Sequence, residues 1–105
     1  MALTHFVFGQ AGQHWNNSQI PAMLSTSFTS EGVASSASNQ QTTATAGSDD
    51  GVVYVCRVAT DTAVYVAFGS NPNADSGTGT RAYMPAGCVE YFIVPASAKG
   101  AVVTA

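Results

Sequence analysis

Three runs rich in valine and aromatic side chains, Val52 to Ala59, Thr62 to Phe68 and Val89 to Val94, fill the second half of the chain, each bounded by turn residues. A fourth apolar run, Ala101 to Val103, lies at the C-terminal end. Short runs of β-branched and aromatic residues between turn signals are strands rather than helices. Strand side chains alternate, so Val53, Val55, Arg57 and Ala59 share one face of the first run, and Tyr54, Cys56 and Val58 share the other. Apolar residues on both faces place such a strand centrally in a packed layer. The expected fold class is all-β: a small β-sandwich or jelly-roll-like antiparallel fold with an extended N-terminal segment.

A chain of 105 residues is expected to form one domain, burying roughly 65% of the surface of its unfolded form. Charged residues are only 9% of it, against about 25% in an ordinary soluble domain. Ser, Thr, Asn, Gln and Gly must therefore do the solvating that Lys and Glu usually do, and weak self-repulsion favours lasting contact with other polypeptides. Oligomerisation is the expectation. Duplex binding depends on Lys and Arg displacing condensed counterions, and this chain has only Arg57, Arg81 and Lys99, so no nucleic-acid partner is expected. No membrane role is expected either, because no apolar run approaches the roughly 18 to 20 residues of a spanning helix and no basic amphipathic helix occurs. Residues 1–9 lack the features of a secretion signal, which points to synthesis in a cytoplasm.

The two cysteines read as buried small thiols, with a Cys56–Cys88 bridge as the alternative if the two Cα atoms come within about 7 Å in an oxidising setting. Zinc is not expected, since His5 and His14 stand far from both cysteines in sequence and no C-x-x-C spacing occurs. No cofactor or catalytic residue is assigned. There is no G-x-S-x-G elbow, no phosphate loop, and no carboxylate pair outside positions where turns already account for Asp.

Residues 1–24 carry Leu3, Phe6, Val7, Phe8, Trp15, Ile20, Met23 and Leu24, more bulk than a disordered tail needs. They are read as an N-terminal arm or covering segment, with residues 25–105 as a single β-sandwich domain. Leu3 to Phe8 suits a short strand, and Trp15 to Leu24 a loop or helical turn broken by Pro21. The segment either covers its own sandwich or lies on a neighbouring protein; on the second reading, deleting residues 1–24 leaves a folded body that no longer binds its partner. Between Ser25 and Asp50, 12 of 26 residues are Ser or Thr, which suits one or two irregular strands, with Thr42 to Ala46 alternating like an exposed edge. The candidate intersubunit contacts are Leu3, Phe6, Phe8, Trp15, Ile20 and Phe28.

Asp49-Asp50-Gly51 is expected to make a tight hairpin turn, and the short turn from Ala59 to Thr62 a second hairpin. Gly69 to Thr80 is expected to be a solvated loop. Gly100 marks a place where a neighbouring backbone comes close. Glu90 and Arg57, the only charges within strong strands, are candidates for a cross-strand pair.

The stretches Ser38 to Thr43, Val55 to Thr60, Val66-Ala67-Phe68-Gly69-Ser70-Asn71-Pro72, Met84-Pro85-Ala86-Gly87, Val89-Glu90-Tyr91-Phe92 and Ala101-Val102-Val103 resemble small virion proteins of tailed bacteriophages. The resemblance covers roughly residues 38 to 105 and carries no functional side chain with it. It implies a capsid cement or decoration protein: a homotrimer on the capsid surface, made in the host cytoplasm, that binds the major capsid protein and stabilises junctions between shell subunits. The rival readings are a neck, tail or baseplate component of the same particle, and a carbohydrate-binding sandwich presenting two or three coplanar aromatics from Trp15, Tyr65, Tyr83 and Tyr91.

Overall fold

Alternation along the apolar strands decides which side chains meet in the middle. The computed structural model, which describes residues 3–13, 19–23, 28–49, 51–75 and 80–105 and leaves aside the side chains of 11–13 and 19–23, resolves it into two packed antiparallel sheets. In the first sheet, β1 (Leu3–Gln13) is flanked on one side by β2 (Gln19–Met23) and β3 (Thr29–Ala34), and on the other by β5 (Tyr54–Thr60) and then β8 (Val89–Val94). The second sheet runs β4 (Gln40–Gln41), β9 (Lys99–Thr104), β6 (Val64–Gly69) and β7 (Ala82–Met84). The expected β-sandwich is the observed fold.

Phe6 and Phe8 of β1 point inward with Tyr54, Cys56 and Val58 of β5, and meet Val64, Val66, Met84 and Val102 of the second sheet. Four phenylalanines chain across the interior. Phe6 lies 6.5 Å from Phe8 and 6.2 Å from Phe68, edge on, and Phe68 lies 5.0 Å from Phe92, all within the range where aromatic pairs attract beyond their burial. The Phe6 ring rests on Gly100, where an added Cβ would stand 2.6 Å from Cδ1 and Cε1. The close approach expected at Gly100 is real, but a ring makes it rather than a backbone. At the sheet's end, the buried hydroxyls of Thr4 and Thr60 pair at 3.2 Å, and Thr60 also donates to the Thr62 carbonyl.

The division at residue 24 cuts through this sheet. β1 sits between β3 and β5, in register with β5 from Thr4↔Thr60 to Gln10↔Tyr54, so its Thr4 to Phe8 part is an inner strand paired on both sides rather than an appendage. Trp15 to Leu24 was expected as a loop or helical turn, yet Gln19–Met23 is a strand that includes Pro21. The register slips between Ala11↔Met23 and Gly12↔Ile20, which leaves Pro21 at an irregularity on the sheet edge, where a missing N–H is tolerated.

The expected β5–β6 hairpin is instead an arch between sheets, because β5 and β6 belong to opposite layers. Three residues, 61–63, make the crossing; at about 3.3 Å per residue they span the roughly 10 Å between stacked sheets. Side by side in one sheet, Val58 and Val64 could not both close the core from opposite sides. Asp50 of the expected Asp49–Gly51 turn lies outside the described residues; the chain nonetheless passes from β4 in one layer to β5 in the other rather than closing a hairpin, with Gly51 at φ 73°. Thr42 to Ala46 runs along β9 through Thr42 N–H to the Gly100 carbonyl and Ala46 N–H to the Ala98 carbonyl, both 2.8 Å. Glu31 latches this strip to the first sheet: its carboxylate accepts from the N–H groups of Thr43 and Ala44 and from the Thr43 hydroxyl.

The described part of the 69–80 loop is docked, against expectation. Pro72 and Ala74 are buried over the outer face of the second sheet, and Asn39 binds both sides of the turn, donating to the Pro72 carbonyl and accepting from Ala74 N–H.

Two outcomes test this architecture. Gly100→Ala is expected to cost about 1–3 kcal/mol by forcing Phe6 aside, measured by urea unfolding, and adding Phe6→Leu is expected to recover part of that loss. Deleting residues 1–24 is expected to leave a chain without cooperative unfolding, since it removes an inner strand and two core rings; a native-like melt would contradict the inner placement of β1.

Candidate exposed face on the first sheet

The outward face of the first sheet is where the described surface departs most from that of an ordinary monomer. Its rows follow from the register: Val7, Arg57 and Tyr91 lie side by side, as do His5, Ala59 and Val89, and Gly9, Val55 and Ile93. Across β8 the apolar members are open to solvent, with Val89 44%, Tyr91 50% and Ile93 78% exposed. Single exposed apolar residues are commonplace, but three in line on one strand form a patch of the kind that marks contact surfaces. At the Val89 end the face dips into a shallow groove of about 460 Å³ lined by Leu3, His5, Ala59, Asp61, Cys88 and Val89, among others. The His5 ring lies against Gly32, where a Cβ would come within 3.1 Å of it.

The sequence candidates are scattered relative to this face. Phe6 and Phe8 are core residues, 0% and 1% exposed, and so are closed to a partner. Leu3 is half-buried at the groove, and Phe28 is exposed ahead of β3. Ile20 falls in β2, with its side chain outside the described residues, and Trp15 lies outside them altogether. Val89 and Ile93 escaped the sequence reading, and Tyr91 entered it only as a candidate sugar-binding ring, because Glu90, Phe92 and Val94 between them are mostly apolar too; alternation showed two faces without saying which one is covered.

Arg57 and Glu90 do not pair. Arg57 stands opposite Tyr91 on the outer face, whereas Glu90 stands opposite Val58, whose side chain points inward. Arg81 has a different partner, its guanidinium carbon 3.6 Å from the centroid of Tyr65. Tyr65 and Tyr83 meet at 5.5 Å with their planes 60° apart, so these two rings do not form the flat platform of a sugar-binding face, and Tyr91 lies on the other sheet.

Both cysteines are free thiols. Cys56 stands opposite Phe92, while Cys88 lies next to Thr60, four residues further along β5 and so roughly 13 Å away, beyond bridging reach. Burial pushes the Cys56 thiol from its ordinary 9.0 up to about 12, partly offset by a backbone hydrogen bond at Val7. Cys88 is also raised, by desolvation first and then by the Glu90 carboxylate, whose Oε1 lies 3.6 Å from Sγ. Among the described residues, no group of three His, Cys, Asp or Glu side chains could hold a metal ion, and no helix could cross a membrane.

No protein-family model, no curated protein and no solved structure matches the chain.

The buried thiol has a stability consequence. A folded value above the unfolded one stabilises the fold below pH 9, and that contribution is lost as pH rises toward 12. The stability of the native chain relative to Cys56→Ala is therefore expected to fall between pH 9 and pH 11, by at most about 1.4 kcal/mol per pH unit, in urea titrations at each pH. A difference independent of pH would contradict it.

Proposed function

We propose that the chain is a structural protein of a tailed-phage particle, of the capsid cement or decoration type, that binds the outer surface of the major capsid shell and stabilises junctions between its subunits. The observation that carries this reading is the exposed apolar row Val89, Tyr91 and Ile93 on a sandwich with almost no charge. A protein that clamps a shell needs an apolar face to add buried area, and gains nothing from the basic patch that would draw it to the packaged genome. The resemblance of residues 38–105 to small virion proteins supplies the setting. Self-association belongs to the same reading, as does residence on the capsid surface after synthesis in the host cytoplasm.

This reading moves the contact surface. The inner strand β1 gives its rings to the core, so the grip passes from the N-terminal segment to the outer face of β5 and β8, with Leu3 at its margin.

The test is reconstitution on shells that lack the protein. Purified chain is expected to bind in proportion to shell subunits, and Val89→Thr with Ile93→Thr is expected to weaken binding by about tenfold or more while leaving the fold intact, given the apolar area removed. Binding only at the neck or tail would favour the rival virion reading. Indifference to particles would overturn both.

A further inference from the structure

A sheet edge is a row of unpaired N–H and C=O groups, and monomers blunt such edges by shortening, bulging or charging them. Among the described residues, three of the edge strands follow that rule, and β3, though 6 residues long and unbroken, carries Glu31, whose carboxylate holds Thr43 and Ala44 beside it. β4 has 2 residues and β7 has 3, while β2 carries Pro21 and a register slip. β8 follows it least. It has 6 residues, pairs with β5 without a break in register, contains neither proline nor lysine, and carries a single charge, Glu90, opposite the inward-facing Val58. No described strand lies on its other side.

The hydrogen-bond phase of β8 can be read from its neighbours. Thr60 N–H donates to the Cys88 carbonyl, and Asp61 N–H donates to the Leu3 carbonyl, so even-numbered residues of β5 bond toward β8 and odd-numbered ones toward β1. Opposite β5, the even-numbered residues of β8 therefore turn their backbone groups inward to the sheet. Val89, Tyr91 and Ile93 turn theirs to the free edge. These are the same three residues whose apolar side chains are exposed; Glu90 is exposed as well but turns its backbone groups to β5.

We propose that this edge pairs with a second copy of itself, antiparallel about a two-fold axis at Tyr91, so that the first sheets of two molecules become one. The register follows from three constraints. Side chains on one face must stay on that face, which rules out setting an odd residue against an even one. Centring on Glu90 would set two carboxylates opposite each other, which is destabilising. Centring on Phe92 would set Val89 against Pro95, which has no N–H and lies beyond the strand. Centring on Tyr91 sets Tyr91 against Tyr91 and Val89 against Ile93 of the second copy. Every outward N–H and carbonyl of the three residues then finds a partner, and Glu90 faces Phe92 instead of its own kind. A net charge of −3 opposes the union only weakly. The pair is two-fold, which departs from the trimer implied by the phage resemblance, and it requires no particle, so it stands or falls separately from the proposed function.

Sedimentation of the purified chain across a concentration series is expected to show a monomer–dimer equilibrium. Tyr91→Pro is expected to abolish the dimer and keep the monomer's fold, because it removes an N–H that β5 does not use. In a Cys88→Ser background, Tyr91→Cys is expected to crosslink two copies under mild oxidation, since opposed residues in such a pair sit about 5.5 Å apart at Cα, whereas Glu90→Cys in the same background is expected not to. A monomer at every soluble concentration, a trimer, or crosslinking at position 90 in preference to 91 would overturn the inference; the crosslinking arm decides the matter even if Tyr91→Pro fails to fold.

Discussion

The contact between the Phe6 ring and Gly100 is the constraint on which the rest of the structure depends. It joins the central strand of one sheet to an inner strand of the other, at a spacing that no side chain at position 100 would permit. With Phe6 seated there, Phe8, Phe68 and Phe92 fall into ring contact along the interior, and Val58, Val64, Val66 and Val102 close around them at 0–1% exposure. The core is thus assembled from strands far apart in the chain. The N-terminal strand is its first wall rather than its cover, and Thr4 with Thr60 seals one end by pairing hydroxyls that burial would otherwise penalise.

Much of this was legible from residue pattern, and the failures have identifiable causes. Val89 to Val94 was read with the observed bounds, and the strand in Val52–Thr60 begins two residues later than its apolar run, at Tyr54. These segments alternate and are strongly β-branched or aromatic, so local preference and tertiary structure agree. Connectivity was less legible. A short turn between two strands makes a hairpin when the strands share a sheet and an arch when they do not, and only the opposed burial of β5 and β6 distinguishes the two. The N-terminal segment misled because its apolar residues are followed by a polar, hydroxyl-rich tract; that tract is held by backbone bonds to β9 and by the Glu31 carboxylate bonded to the Thr43 and Ala44 amides, long-range contacts with no local signature. The separation of Arg57 from Glu90 likewise depends on register, which alternation along a single strand does not reveal.

The same register explains why one surface differs from the others. The outer face of the second sheet is covered by Pro72 and Ala74 and carries the Arg81–Tyr65–Tyr83 stack, so that among its described large apolar residues only Tyr83 is open to solvent. On the first sheet, Val89, Tyr91 and Ile93 present apolar side chains to solvent and backbone groups to the free edge at once. A face and an edge can serve different partners: the side chains suit a broad apolar contact, and the backbone suits a strand. The proposed shell contact uses the first, and the proposed pairing of two copies uses the second and doubles the area of the first. Low charge is consistent with both, since neither requires steering and each is hindered by repulsion.

Residue-resolved amide hydrogen exchange along β8, in dilute and in concentrated solution, tests the central claim most directly. In dilute protein the account expects slow exchange at Glu90, Phe92 and Val94, which bond to β5, and fast exchange at Val89, Tyr91 and Ile93, with the latter three becoming protected as concentration rises. Protection of all six at every dilution, or no protection of Tyr91 at any concentration, would contradict it.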